Sequence, residues 1–280
     1  MLIRAMTVDD LPSGLRLSRA AGWNQTPDDW QTMLALAGNG AFVAVAASQV
    51  IGTTMVCRFE RAGWVAMVLV DERFRRQGIG RRLVEHALRL ADEAGIETLA
   101  LDATPLGRPL YEQLGFTVES EFSRYIGQPK LEAEGDGFVM RPIDAADLDA
   151  IVAIDRHAIG CDRRRLFERW FSTPAVEGMV CVVDGRVRGF AFHRPGAVAR
   201  HIGPCMADDE SIGQALLKRA LRDAAACNVY VDAPRNHPSA IAIAEAAGLN
   251  YQRPFWRMRR GPGQIASLET VWATSGPEKA

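Results

Sequence analysis

Hydrophobic positions along this chain change period as they go, and the changes recur. Val65 to Val70 is a continuous apolar run of strand length. From Arg81 to Ala94 the period lengthens: Leu83, Ala87, Leu90 and Ala94 fall at helical spacing, with Val84, Leu88 and Ala91 beside them. That predicts a helix with one buried stripe. Ile96 to Leu101 reads as a strand, Pro109 to Leu114 as a short helix ended by Gly115, and Phe116 to Ser120 as the start of another strand. Upstream, Phe42-Val43-Ala44-Val45 and Val50-Ile51-Gly52 flank the polar pair Ser48-Gln49 and predict a hairpin. Thr26, Pro27 and Asp29 predict a capped helix start.

The same order returns in the second half. Ile3-Arg4-Ala5-Met6-Thr7-Val8-Asp9-Asp10-Leu11 is echoed by Met140-Arg141-Pro142-Ile143-Asp144-Ala145-Ala146-Asp147-Leu148. A second hairpin, Val180 to Val183 and Val187 to Gly189 around Asp184-Gly185, matches the first. Leu101-Asp102-Ala103 is echoed by Val231-Asp232-Ala233, and Leu114-Gly115-Phe116 by Ala247-Gly248-Leu249. Two copies of one α/β unit, with helices on an open mixed sheet, account for this better than a solenoid, which needs at least three repeats. The expected division is 1–127, a linker over 128–137 containing Pro129, Gly135, Asp136 and Gly137, a second copy over 138–262, and a loose tail over 263–280.

Composition narrows the partners. With 280 residues, 48% hydrophobic and 24% charged, the chain has a globular profile and a length suited to two domains. A net charge of −1 argues against bulk nucleic-acid binding, so an anion site must come from local charge. No apolar run approaches ~20 residues, so no membrane span is expected, and the start, Met1 to Met6, lacks the long apolar core of a signal peptide. Five cysteines without a CxxC pair predict reduced thiols in a cytoplasmic protein. Five scattered histidines give no metal-ligand spacing, and no metal is expected.

Between the strand ending at Val70 and the helix opening near Arg81 lies Arg75-Arg76-Gln77-Gly78-Ile79-Gly80. Glycines permit close approach of backbone to a ligand, and free N–H groups at a helix start attract phosphate. A plain β-to-α turn explains two glycines. It does not explain Arg75, Arg76, Arg81 and Arg82 crowding a helix N-terminus, where cations are unfavourable without an anion nearby. The Gly-x-Gly-x-x-Gly of a dinucleotide fingerprint and the Gly-Lys-Ser/Thr of a nucleotide-binding P-loop are both missing.

The stretch from Val68 to Leu83 resembles the acetyl-CoA-binding motif of the GNAT acetyltransferase superfamily, Gln/Arg-x-x-Gly-x-Gly/Ala, filled here by Arg75, Gly78 and Gly80. Leu110-Tyr111-Glu112-Gln113-Leu114-Gly115-Phe116 is similar to that family's helix-to-strand segment and falls at the expected distance. The resemblance implies two tandem GNAT-like domains of α/β (α+β) class, each a mixed, mostly antiparallel sheet flanked by helices. It also implies that backbone groups of Gln77, Gly78, Ile79, Gly80 and Arg81, with Arg75 and Arg76, hold the pyrophosphate of acetyl-CoA. Val68, Leu69 and Val70 would pair with the pantetheine arm, and an N–H near Leu69 or Val70 would polarise the thioester oxygen.

Direct attack by an amine needs a neutral nucleophile, a polarised carbonyl and a proton for the leaving thiolate. The resemblance gives the proton to Tyr111, whose class titrates near about 10, while a thiol leaves near about 8.5. A lysine-like amine costs roughly 4–5 kcal/mol to deprotonate at pH 7 and an α-amine about 1, so a base is needed for the former. Asp102, at a predicted strand end, is the candidate; a turn or capping role is the plain alternative. Asp71 and Glu72 read as solvated turn charges. Trp23 and Asn24, in the loop before the Thr26 cap, are candidate acceptor contacts by resemblance; core packing and a loop hydrogen bond are their plain alternatives.

In the second copy Ala207-Asp208-Asp209-Glu210-Ser211-Ile212-Gly213 stands opposite the glycine turn, and Ala244 stands opposite Tyr111. Three acids suit a helix dipole but repel a pyrophosphate. This copy is expected to have lost acetyl-CoA binding, with His193, His201, Asp232, Asn236 and His237 as candidate contributors to an acceptor pocket. Phe255 to Met258 reads as core. The expected function is N-acetyl transfer from acetyl-CoA to a primary amine of a small molecule in a ternary complex. The alternative is an acyl-CoA-binding sensor without turnover.

Overall fold

The computed structural model describes residues 1–132, 137–262 and 267–279. These fall into two compact units, one of 1–117 with 258–262 and 277–279, the other of 118–257 with 267–276.

The first unit runs β1 (Leu2–Ala5), α1 (Leu11–Ala20), α2 (Pro27–Ala37), β2 (Ala41–Ala46), β3 (Gln49–Phe59), β4 (Ala62–Val70), α3 (Ile79–Glu93), β5 (Thr98–Ala103) and α4 (Arg108–Gln113). Its sheet has the order β1-β2-β3-β4-β5; β1 to β4 are antiparallel neighbours and β4 runs parallel to β5. Most of the predicted stripe holds: Leu83, Val84, Ala87, Leu88 and Ala91 are buried, Leu90 and Ala94 are half-buried, and α3 packs on β2, β3 and β4. Full burial of a Leu or Val side chain stabilises by roughly 1.5–3 kcal/mol, so the stripe fixes α3 on the sheet. Thr26 caps α2 as expected: its Oγ1 accepts from Asp29 N at 3.2 Å, and Asp29 Oδ2 accepts from Thr26 N at 2.8 Å.

The second unit contains β6 (Thr117–Gly127, from residue 118), β7 (Val139–Pro142), α5 (Leu148–Ile159), α6 (Arg164–Phe171), β8 (Glu177–Val183), β9 (Arg186–Arg194), β10 (Arg200–Ala207), α7 (Glu210–Asp223), β11 (Val229–Pro234), α8 (Pro238–Ala246), β12 (Asn250–Arg260, to residue 257) and β13 (Val271–Ala273). Strand order is β12-β6-β11-β10-β9-β8-β7, with β13 added to β10. Again one pair, β10–β11, is parallel, while β6–β11, β9–β10, β8–β9 and β7–β8 are antiparallel.

The repeat extends to atoms. In the first copy Arg4 holds Asp10 with two hydrogen bonds, 2.7 and 2.8 Å, and Asp10 accepts from Thr7 N. In the second, Arg141 holds Asp147 at 2.6 and 2.8 Å, and Asp147 accepts from Asp144 N. Both hairpins form. The second turns on Asp184-Gly185 as expected, whereas the first turns on Ala47-Ser48, one residue earlier than Ser48-Gln49, with φ of 45° and 61°. Neither Ala nor Ser advertises a left-handed turn, which is why the sequence misplaces it.

The units and the repeat are not colinear. β6, the last strand of the first copy, pairs with β11 from Phe122–Pro234 to Gly127–Val229. There Phe122 stacks on Phe255 at 5.2 Å, which makes Phe255 core as expected. Conversely, 258–262 pack in the first unit, where Thr117 Oγ1 donates to Arg259 O at 3.3 Å. Of the predicted linker, Lys130 N donates to Ala247 O at 2.9 Å; Gly135 and Asp136 lie outside the described residues.

The tail is not loose. Val271, Trp272, Ala273, Thr274 and Ser275 are buried in the second unit, and Glu278 and Lys279 are buried in the first. Lys279 Nζ donates to Asp29 Oδ1 at 2.8 Å and to Glu278, and Trp64 Nε1 donates to Pro277 O at 3.1 Å. Charge pairing and strand addition hold a segment whose Gly, Pro and Ser content reads as irregular. Residues 263–266 and 280 of the expected tail lie outside the described residues.

Candidate active site

The opening of the first unit lies where two parallel strands part. β4 and β5 pair from Ala62–Thr98 to Trp64–Ala100, and beyond that β4 continues to Val70 and β5 to Ala103. β4 stays paired with β3 on its other edge, with a register shift between Thr53 and Met55. Met67 sits in that bulge at φ 53°, and its carbonyl accepts from the buried Thr53 Oγ1 at 2.6 Å. A bulge bends its strand and increases the local twist, which steers Val68–Leu69–Val70 away from β5. Leu69 is buried; Val68 and Val70 are half-buried.

β4 then delivers the chain into the glycine turn. A short 3-10 segment, Glu72–Phe74, is followed by Arg75 in extended conformation, by Arg76 at φ 59° and by Gly78 at φ 76°. Gly78 is the N-cap of α3, and no side chain caps that helix. Nothing lies within 4 Å of a Cβ built on Gly78, so the glycine serves the left-handed conformation rather than a lack of space. The first N–H groups of α3 therefore face a surface loop at the positive end of a 15-residue helix.

The arginines divide. Arg75 Nε donates to Val70 O at 3.2 Å, folding the side chain back across the turn. Arg81 engages Gln113 and lies 3.6 Å from Glu85. Arg76 and Arg82 are exposed, and neither guanidinium has a protein partner among the described residues. Asp71 departs from expectation. It is buried rather than solvated, held by Arg73 at 3.0 and 2.9 Å and by Arg16 at 2.9 Å. The hydrogen bonds from Arg73, then Arg16, hold its carboxyl well below the usual range despite burial, which makes it a pin for the end of β4 and a poor base. No local sequence signal marks Arg16 as its partner, 55 residues away.

Tyr111 stands on α4, buried, edge-on to Phe116 at 6.0 Å and close to Gly107, where a built Cβ would lie 3.0 Å from its ring. Burial pushes its phenol well above the usual range. Asp102 is half-buried on β5, two residues past the last β4–β5 pair. Asn24 is buried and Trp23 half-buried, in the loop ahead of the α2 cap. Among the described residues no three His, Cys, Asp or Glu side chains cluster to hold a metal ion, and no helix is long and apolar enough to cross a membrane.

Two regions of the chain match the family described as Acetyltransferase (GNAT) domain: residues 37–118 and residues 151–272. The chain belongs to the GNAT acetyltransferase superfamily. It carries two of the family's domains in tandem. An uncharacterized N-acetyltransferase of Bacillus subtilis, YitH, is 28% identical over 235 residues, 80% of this chain and 79% of that protein. A putative acetyltransferase from Pyrococcus horikoshii superposes with a TM-score of 0.84 at 20% identity, over 100% of this chain and 95% of that one. A tandem GNAT protein from the clavulanic acid biosynthesis pathway superposes with a TM-score of 0.65 at 15% identity, over 94% of this chain and 99% of that one.

The second GNAT domain lacks the turn. Asp209 is the N-cap of α7 and accepts from Ser211 N at 2.9 Å and Ile212 N at 3.1 Å, so the protein itself caps this helix start. Asp208 pairs with Arg188 at 2.9 Å. Of the five polar candidates of this domain, His201 and Asp232 meet in one buried network closed by the protein's own groups. Asp232 is buried against Arg124 at 2.6 and 2.5 Å, and His201 Nε2 donates to Thr274 O at 2.9 Å. His193 Nδ1 lies 2.9 Å from Arg200, His237 caps α8, and Asn236 is exposed. A cavity of about 370 Å³ lined by Trp170, Phe171, Phe192, Glu177, His193 and Arg219 also lies in this unit, with Arg219 bound to Asp223.

Proposed function

We propose that this protein is an N-acetyltransferase whose first unit takes acetyl-CoA and passes the acetyl group to a primary amine, best fitted by a small molecule. The observation that carries the reading is the parting of β4 and β5 above an uncapped helix start reached through two left-handed residues, Arg76 and Gly78. A pyrophosphate is the ligand such a turn suits. Its charge meets the N–H groups of Gln77 to Arg81 and the helix dipole, and it gives Arg75 and Arg76 an anion. The pantetheine arm has amide groups to exchange with the edge of Val68–Leu69–Val70.

The chemistry balances within the ternary complex. The amine lone pair forms the new C–N bond, the C–S bond breaks, and the proton lost by nitrogen ends on sulfur. A backbone N–H at Leu69 or Val70 stabilises the oxyanion. Tyr111 remains protonated through neutral pH, but burial makes it a weaker acid than a thiol of about 8.5. It therefore donates a hydrogen bond to the departing sulfur and relays a proton that originates on the amine. A lysine-like acceptor arrives as an ammonium and carries one proton more; Asp102 takes that extra proton before attack and passes it to solvent, while Asp71 is already committed to two arginines. Trp23 and Asn24 line the acceptor side.

Calorimetry with acetyl-CoA, followed by thiol release across a panel of primary amines, tests the reading. The expected result is one bound acetyl-CoA and turnover on at least one amine. Absence of binding would sink the proposal, and binding without turnover on a broad panel would favour an acyl-CoA sensor.

A further inference from the structure

The second unit also parts its parallel strands, and there the protein supplies the occupant. β10 and β11 pair from Arg200–Val229 to Ile202–Val231, the same three-pair register as in the first unit, and then diverge. β13 enters between them. It pairs antiparallel with β10, Cys205 opposite Ala273 and Met206 opposite Val271. On the other side Thr274 N donates to Asp232 O of β11 at 2.9 Å. One short segment thus satisfies backbone groups on both diverging strands.

Its seat is built for it. A Cβ on Gly203 (φ 137°) would lie 2.0 Å from Thr274 O, so only glycine allows the backbone approach. A Cβ on Gly213, in the first turn of α7, would lie 2.0 Å from the Trp272 indole, and that indole also packs on the His237 ring at 4.2 Å. Ser275 is held by Arg163 Nη1 at 2.8 Å and Arg194 Nη2 at 3.3 Å, both arginines being buried.

We infer that the β10–β11 opening of the second unit is a strand-binding site filled in cis by Val271–Ser275, standing where the first unit takes the pantetheine arm. The comparison with pantetheine rests on the function proposed above; the strand site itself rests on the geometry of the second unit. The segment, and not only the acids at Asp208 to Glu210, then keeps a second acyl-CoA out.

Hydrogen exchange on the full-length protein tests the strand site without any cofactor. Amides of Cys205, Met206 and Thr274 in the wild type are expected to exchange at least 1,000-fold more slowly than in an unfolded chain. Exchange at unfolded-chain rates would overturn the inference. Thr274→Pro removes the N–H that bonds Asp232 O and should speed exchange at least tenfold at the one of Cys205 and Met206 whose amide turns to β13, while the other, turned to β9, stays protected. A synthetic peptide of residues 267–279, added to that variant, should restore protection. Failure of the released site to take up the peptide would also overturn the inference. Calorimetry tests the exclusion. A variant carrying Asp208→Ser, Asp209→Gly and Glu210→Ser should still bind one acetyl-CoA per chain. A second binding event with the strand in place would show that the acids alone exclude it. Zero binding in wild type and variant would remove the acetyl-CoA reading, while the exchange results would still decide the strand site.

Discussion

Two residues of the first unit carry separable loads. Gly78 holds φ 76° in open space, so Gly78→Ala should fold with a loss of about 1 kcal/mol from the left-handed backbone alone. Arg75→Ala combined with Gly78→Glu places a carboxylate where an anion should bind, and acetyl-CoA binding should vanish by calorimetry. Asp208→Arg, in the second unit, should leave that binding unchanged; a tenfold loss there would move the cofactor site. Tyr111 is the complementary case. Tyr111→Phe keeps the ring beside Phe116 and Gly107 and deletes the hydroxyl. Turnover should fall about 100-fold with acetyl-CoA affinity unchanged. Wild-type rates would take Tyr111 out of the mechanism.

At the scale of elements, the two corresponding helices differ in how they begin. α3 starts at a left-handed glycine with no side-chain cap, and α7 starts at Asp209, whose carboxylate takes two of its first N–H groups. Asp209→Ala should cost about 1 kcal/mol of unfolding free energy in the second unit, measured by urea titration, without weakening acetyl-CoA binding. An unchanged midpoint would show that the cap contributes nothing. The Thr26 cap of α2, the glycine turn and the α3 stripe are legible in sequence because their causes are local: a Thr three residues before an Asp, a glycine pair, an apolar period of 3.6. The bulge at Met67 and the turns at Ala47-Ser48 and Arg76 are not. Each puts a non-glycine residue at positive φ, which the residue type does not announce; at Met67 the carbonyl is held by Thr53 Oγ1, fourteen residues away in sequence. The glycine turn and Tyr111 could therefore be named from sequence, whereas the bulge that parts the strands between them could not.

The whole molecule shows the same limit and offers a pH test. Local pattern reveals two copies but not that β6 pairs with β11, nor that 271–275 become core. Those depend on side chains far off in sequence: Asp232 for Arg124, and Arg163 and Arg194 for Ser275. His201 lies in this buried network. It is neutral with Nε2 donating to Thr274 O, and burial, then Arg194, lowers it to about 4, against smaller opposition from Asp232. Burial also lowers His193 and His237. The unfolded chain takes up a proton on such a histidine near pH 6.5, and the folded chain takes it up on His201 only near pH 4. Between those values the unfolded state binds more protons, so stability is full above about pH 6.5 and declines as pH falls toward 4. From pH 7 to pH 5 the loss from His201 should be about 2 kcal/mol. Urea midpoints of wild type and His201→Gln at the two pH values isolate it, since His193 and His237 remain in both. His201→Gln should be less stable at pH 7, where it gives up a well-seated neutral imidazole, and should lose markedly less on acidification. Equal losses in the two proteins would mean that His201 is not what makes the second unit sensitive to acid.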